Sequence, residues 1–168
     1  NNDLRHICHD LGAECSEVTV SPTFRRYDMR RQEEREILDF VIDLTPQIDV
    51  EKERIGRLRV DTIREIMVNK VCTLIGRSEL KDLVDLYFLQ KRGFDVCDYL
   101  EAARQKEGGI DPAMMSFLLA NARIARSPDY MIAPLDVEEL KAFVRDLQRR
   151  LAELQRKISL LRDELRRD

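Results

Sequence analysis

The sequence predicts an α+β protein in which a short β-rich front section gives way to helices near residue 60. Three observations carry this. The segments "EVTV" (Glu17–Val20), "TFRRYDM" (Thr23–Met29) and "EILDFVIDL" (Glu36–Leu44) combine alternation with β-forming residues between polar breaks, as strands do. From Asp61 onward apolar residues recur at helical spacing instead. Leu140, Val144, Leu147, Leu151, Leu154, Ile158, Leu161 and Leu165 then alternate steps of four and three, a sustained heptad seam.

In chain order, residues 2–12 read as a short helix ending at Gly12, a suitable residue for the turn past a helix end. The strands follow, with "RRQEER" (Arg30–Arg35) as the connection of a hairpin and "IGRLRV" (Ile55–Val60) as a further strand. Thr62 and Glu65 in "TIRE" have capping-box spacing, so a helix starts near Ile63, runs to Ile75 and stops at Gly76. Ser78 caps a second helix that reaches about Arg92, before Gly93. "VCDYLEAARQKE" (Val96–Glu107) is a third helix, followed by the turn "GGIDP". "PAMMSFLLANARIA" (Pro112–Ala125) is a fourth, with proline in its first turn. A loop leads to one long helix from Val137 to the end. Its first half suits packing on its own domain. Beyond about residue 152 its surface is too charged for more than a narrow seam, which points to self-association through residues 140–165 or to a helical partner. The expected domains are 1–60, 61–136 and 137–168.

With 168 residues, 43% of them hydrophobic and 36% charged, the chain suffices for one core, or a core with a helical extension. No apolar run approaches the ~20 residues of a membrane span, and the start shows no signal-peptide pattern. The opening Asn, in place of Met, points to a fragment or a processed form. Net charge is −3; residues 139–168 hold nine basic and six acidic side chains, which leaves −6 on residues 1–138. That balance makes no overall case for nucleic-acid binding. Cys8, Cys15, Cys72 and Cys97 form no CxxC pair, in keeping with free thiols in a reducing cytoplasm. His6, Cys8, His9 and Cys15 are close in sequence, but at a spacing that matches no familiar zinc module.

The informative residues are charges in apolar surroundings. On a helical wheel Lys70 falls at the centre of the stripe Ile63, Ile66, Met67, Val71 and Leu74, where it must snorkel, meet a carboxylate or meet an anionic ligand. Arg77 lies on the same face just past the helix end. The next helix, with Leu80, Leu83, Val84, Leu86, Tyr87, Phe88 and Leu89, leaves a narrow polar strip to Lys81, Asp82 and Asp85. Lys81 and Asp85 have the spacing of an ordinary helix pair, which leaves Asp82 and Lys70 unexplained. In "LDFVIDL", Leu38, Phe40, Ile42 and Leu44 form a core face and Asp39, Val41 and Asp43 the opposite one. An exposed sheet face explains those two carboxylates, and so would a metal and phosphate cleft.

"LDFVIDLTPQI" followed by "IGRLRVDTIREIMVNKVCTLIGRSELKDLVDLYFL" resembles the AbiEii/AbiGii nucleotidyltransferase toxins of bacterial toxin–antitoxin and phage-defence systems, over roughly residues 10–150. The ordered series of strand aspartate, helix lysine and KDxxDLY helix is its most specific part. The resemblance implies the C-terminal part of a polymerase-β-like nucleotidyltransferase sheet, then a mainly helical domain and the long C-terminal helix. It implies Mg²⁺ as cofactor and an NTP as substrate, with transfer of a nucleotide to an RNA or protein acceptor and a cognate antitoxin as partner. Asp39 matches the family's strand carboxylate, with Asp43 as the nearby alternative metal ligand. Lys70 matches the motif lysine that meets the triphosphate, with Arg77 and Lys81 as further contacts. Asp82 and Asp85 match the acidic pair of the last motif, and either could hold Lys70 or act as base. The family's Gly-Ser opening and first DxD pair have no counterpart in residues 1–35, and are expected upstream of residue 1. On that reading the chain alone is not a competent catalyst. A non-catalytic module for helical interaction or oligomerisation is the alternative.

Overall fold

The computed structural model describes residues 2–76, 79–128 and 131–167, so the expected cap at Ser78 lies outside the described residues. The chain divides into two compact units, Asn1–Thr45 and Pro46–Asp168. Its four cysteines are free thiols.

The first unit is one helix and a three-stranded antiparallel sheet. Helix α1 (Asn2–Asp10) is followed by Gly12 at φ +63°, a backbone region that costs glycine nothing sterically. The chain then enters β1 (Glu14–Val20), β2 (Phe24–Arg31) and β3 (Glu34–Val41), with β2 in the centre. The hairpin between β2 and β3 turns at Gln32, which adopts φ 55°. The expected core face of β3 is not formed. Leu38 is half-buried, but Phe40, Ile42 and Leu44 are exposed, and the strand stops at Val41. Three strands and one short helix cover little of either sheet face. What this unit does bury is Cys8 of α1 and, on β2, Tyr27, with Phe40 edge-on at 5.8 Å, and Asp28.

Asp28 is gripped by Arg30 at 3.0 Å and by Arg35, from the neighbouring strand, at 2.9 Å. The hydrogen bonds from these guanidiniums outweigh the effect of burial and hold the Asp28 carboxyl down at about 2. A depressed folded-state value contributes stability above the ordinary 3.8 and loses it as pH falls toward about 2. Asp28→Asn is therefore expected to flatten the acid limb of the stability curve between about pH 4 and pH 2, followed by circular dichroism. An unchanged acid limb would show that these arginines stabilise nothing.

The second unit opens with a small hairpin, β4 (Glu53–Ile55) and β5 (Leu58–Val60), so "IGRLRV" is a turn plus a strand rather than one strand. Gly56 at φ +61° makes the turn. Helices follow: α2 (Ile63–Gly76), α3 (Leu80–Lys91), a 3-10 turn (Val96–Tyr99), α4 (Leu100–Lys106), α5 (Pro112–Ala120) and α6 (Val137–Leu165). The third predicted helix is thus divided. Its start is tightened by Asp95, whose carboxylate accepts the Cys97 amide at 2.8 Å. Helix α5 ends earlier than the pattern suggests, because the Asn121 amide turns back to donate to the Phe117 carbonyl at 2.8 Å. Asp136 caps α6, accepting the amides of Glu138 and Glu139.

Met67, Val71 and Leu74 of α2 meet Leu83 and Leu86 of α3, Met115 and Leu119 of α5, and Val144, Leu147 and Leu151 of α6 in one core. The first half of α6 therefore packs on its own unit. Beneath the core's edge lies a charged pair. Glu65 and Lys106 are almost wholly buried and form an ion pair, and the other Glu65 oxygen accepts the amides of Ile48 at 2.7 Å and Asp49 at 2.9 Å. The capping box is consequently half made: the Glu65 amide donates to Thr62 Oγ1 at 3.0 Å, while the Glu65 side chain reaches the segment before β4. No helix among the described residues is long and apolar enough to cross a membrane.

Candidate functional site

Helix α2 does not present the stripe that the wheel suggests. Glu65, Met67, Val68, Val71 and Leu74 are buried, whereas Ile63 and Ile66 are 37% and 38% exposed. This rotation moves Lys70 from the centre of an apolar face to its margin. There α3 supplies its partners. The Lys70 ammonium lies 3.3 Å from Asp82 Oδ1 and 2.5 Å from Asp85 Oδ2. The two carboxylates differ in kind: the Asp82 side chain is fully buried, and that of Asp85 is 48% exposed. Asp82 also stands in the first turn of α3, where a negative charge faces the positive end of the helix. Burial pushes the Lys70 ammonium down, but the contacts with Asp85 and Asp82 prevail and hold it above the ordinary 10.5. Lys70 is therefore charged at neutral pH.

The pair expected between Lys81 and Asp85 is not formed. Lys70 takes Asp85, and Lys81 turns to Glu79 at 2.9 Å. Arg77 lies outside the described residues. The rest of the KDxxDLY pattern is structural: Leu86 enters the core, and the Tyr87 hydroxyl donates to Glu139 of α6. Lys91 donates to both the Tyr87 oxygen and Glu139, at 3.0 and 2.8 Å, and so fastens α3 to α6.

Lys70 and Asp85 open onto a groove of about 420 Å³, lined also by Ile66, Phe88, Leu89, Arg92 and Ala133. Sequence reasoning passed over Phe88 and Arg92. Helical spacing could have found them, since they stand three and seven residues after Asp85 and share its face. The groove thus joins two cations and one carboxylate to an apolar wall. Such a combination can hold a polyanion and pack a flat group beside it. A hollow of about 230 Å³ in the first unit, between Leu11, Met29 and Glu36, contains none of these residues.

A family model described as nucleotidyl transferase AbiEii toxin, type IV TA system, matches residues 17–165. The chain belongs to this family. Neither curated proteins nor solved structures gave a match. The AbiEii match takes in β1 to β3 as well as the helices, and Lys70, Asp82 and Asp85 all fall within it.

The AbiEii chain's other two candidates, Asp39 and Asp43, lie in the first unit and have their own partners. Both Asp39 oxygens accept from the Arg26 guanidinium, each at 2.7 Å. Asp43 falls beyond the end of β3, where its carboxylate accepts the Thr45 amide at 2.9 Å and closes a turn. Mg²⁺ needs oxygen ligands free to take near-octahedral positions. A carboxylate forked by arginine and another folded into its own loop do not fit that need as placed. Among the described residues no three His, Cys, Asp or Glu side chains are gathered where they could hold a metal ion.

Proposed function

We propose that this AbiEii-family chain takes part in transferring a nucleotide from an NTP to an acceptor, and that the groove beside Lys70 receives the triphosphate. The observation that carries this reading is the pairing of Lys70 with one buried and one half-exposed carboxylate at the wall of that groove. Asp82 fixes the ammonium in place. Asp85, in contact with water, is the exchangeable partner: a phosphate oxygen takes its place on Lys70 and leaves the carboxylate free to accept a proton from the acceptor hydroxyl. The acceptor oxygen then bonds to the α-phosphorus as the bond to pyrophosphate breaks. Lys70 and Arg92 meet the charge that gathers on the leaving group, where fixed cations lower the barrier most. Phe88, Leu89 and Ile66 provide apolar surface for the base. Mg²⁺, expected for this chemistry, would neutralise phosphate charge; no residue described here is assigned to it. RNA or protein is the acceptor on this reading, and a cognate antitoxin the regulatory partner.

Arg92 offers the cleanest test, because it is exposed and absent from the core. Arg92→Ala removes one charge-assisted contact, worth about 1.5–3 kcal/mol, and is expected to weaken binding of a fluorescent NTP by roughly ten- to a hundredfold. Titration in Mg²⁺ buffer with the complete protein measures this. Equal affinity in parent and variant would move the triphosphate out of this groove.

The alternative of an interaction module draws on a separate observation, the exposed outer half of α6.

A further inference from the structure

Helix α6 changes character at Leu151. Before it the helix buries a broad face, with Phe143 packed beside Leu140 and Arg150 tied to Asp95 at 2.5 Å. After it Leu154 still touches the core, and the apolar stripe narrows to Ile158, Leu161 and Leu165. Leu161 and Leu165 are 59% and 78% exposed. Apolar residues at positions a and d give the width of a coiled-coil seam, narrower than the face of a globular helix, and Leu160, 64% exposed, stands beside that seam.

We propose that the outer half of α6 pairs with the same segment of a second copy of this chain, and that the two helices run antiparallel. The flanking charges choose both partner and direction. With Ile158 and Leu165 at positions a and Leu154 and Leu161 at positions d, the e residues are Gln155 and Arg162 and the g residues are Lys157 and Glu164. A parallel pair sets each g residue against the next e residue of its partner, which places Lys157 against Arg162, two like charges. An antiparallel pair sets g against g and e against e. Centred between Ser159 and Leu160, it brings Lys157 against Glu164 of the second copy twice along one flank. Along the other flank Gln155 meets Arg162, a neutral side chain against a cation. The same registration stacks Leu154 on Leu165 and Ile158 on Leu161 of the second copy. Charge and apolar positions thus agree on one two-fold arrangement, the isologous type most common among homo-oligomers.

This association does not depend on nucleotide chemistry, so it stands or falls separately from the proposed function. Sedimentation equilibrium of the chain over a wide concentration range tests it with three variants, all at exposed or half-exposed positions, and circular dichroism verifies that each keeps its helix content. The parent is expected to show a monomer–dimer equilibrium. Leu161→Lys is expected to abolish the dimer. Lys157→Glu turns both flank pairs repulsive and is expected to weaken dimerisation by about tenfold or more. Adding Glu164→Lys to it restores the opposite charges and the affinity. A parent that is monomeric throughout overturns the proposal, as does a dimer that survives Leu161→Lys. Tighter association of Lys157→Glu would show parallel helices, since the new glutamate would then face Arg162, and would equally overturn it.

Discussion

Replacing Glu65 with alanine is expected to lower the unfolding free energy by about 3–5 kcal/mol, measured by urea denaturation of the whole chain. The substitution leaves the Lys106 ammonium buried without its counter-charge and strips the amides of Ile48 and Asp49 of their acceptor. Each of these is a buried polar group made expensive by the loss of its partner. Two companion variants separate the causes. Glu65→Gln keeps an acceptor for the amides and loses the ion pair. Replacing Glu65 and Lys106 together with methionine removes both charges and is expected to recover part of the loss. The carboxyl also gives the pair a pH signature. Burial raises its proton affinity, but the bonds from Lys106 and the two amides prevail and hold it below the ordinary 4.5. Its contribution is therefore complete above that value and disappears as pH falls through the lower folded-state one. Glu65→Gln should lack this acid-dependent component. A Glu65→Ala protein as stable as its parent would mean that the segment before β4 is held by other contacts.

The second large effect concerns chemistry. Lys70→Ala is expected to lower the rate of transfer from an α-labelled NTP to RNA or protein of a cell extract by about 10²–10³-fold, the usual loss when one fixed stabiliser of developing charge is removed. Asp85→Asn keeps size and exposure but cannot take a proton. On the reading above it lowers kcat and leaves nucleotide binding intact or tighter, since Lys70 is less occupied. If the complete protein transfers label as fast without Lys70 as with it, the ammonium is structural, and the groove has another use.

Local signals made much of the architecture readable in advance. Gly12 and Gly93 mark the ends of α1 and α3, and Thr62 marks the start of α2, because turns and caps are settled by neighbours in sequence. The hairpin of β2 and β3 was equally plain. What could not be read was settled by packing at long range. The wheel of α2 set Lys70 at the centre of a stripe of Ile63, Ile66, Met67, Val71 and Leu74; packing buries the last three together with Glu65 and Val68 and leaves Ile63 and Ile66 at the exposed edge. Glu65 looked like the second half of a capping box, and its partner Lys106 comes from a helix 41 residues further on. At the site, Lys70 with Asp82 and Asp85 was legible as charge in an apolar context, although the different burial of the two carboxylates was not. The alternation of β3 misled for the opposite reason: a strand can alternate perfectly while its sheet finds little to cover it.

One asymmetry at Lys70 has a consequence for what the groove will accept. A lysine with a permanent and a replaceable counter-ion is never bare, so an incoming anion must outbid Asp85 before it gains anything. Chloride or a singly charged ester offers no more charge than the carboxylate it would displace. A triphosphate, which reaches Lys70 and Arg92 together, offers several. On the proposed function, Asp85 works as a valence filter, which keeps the groove indifferent to the ordinary salts around it and responsive to polyanions.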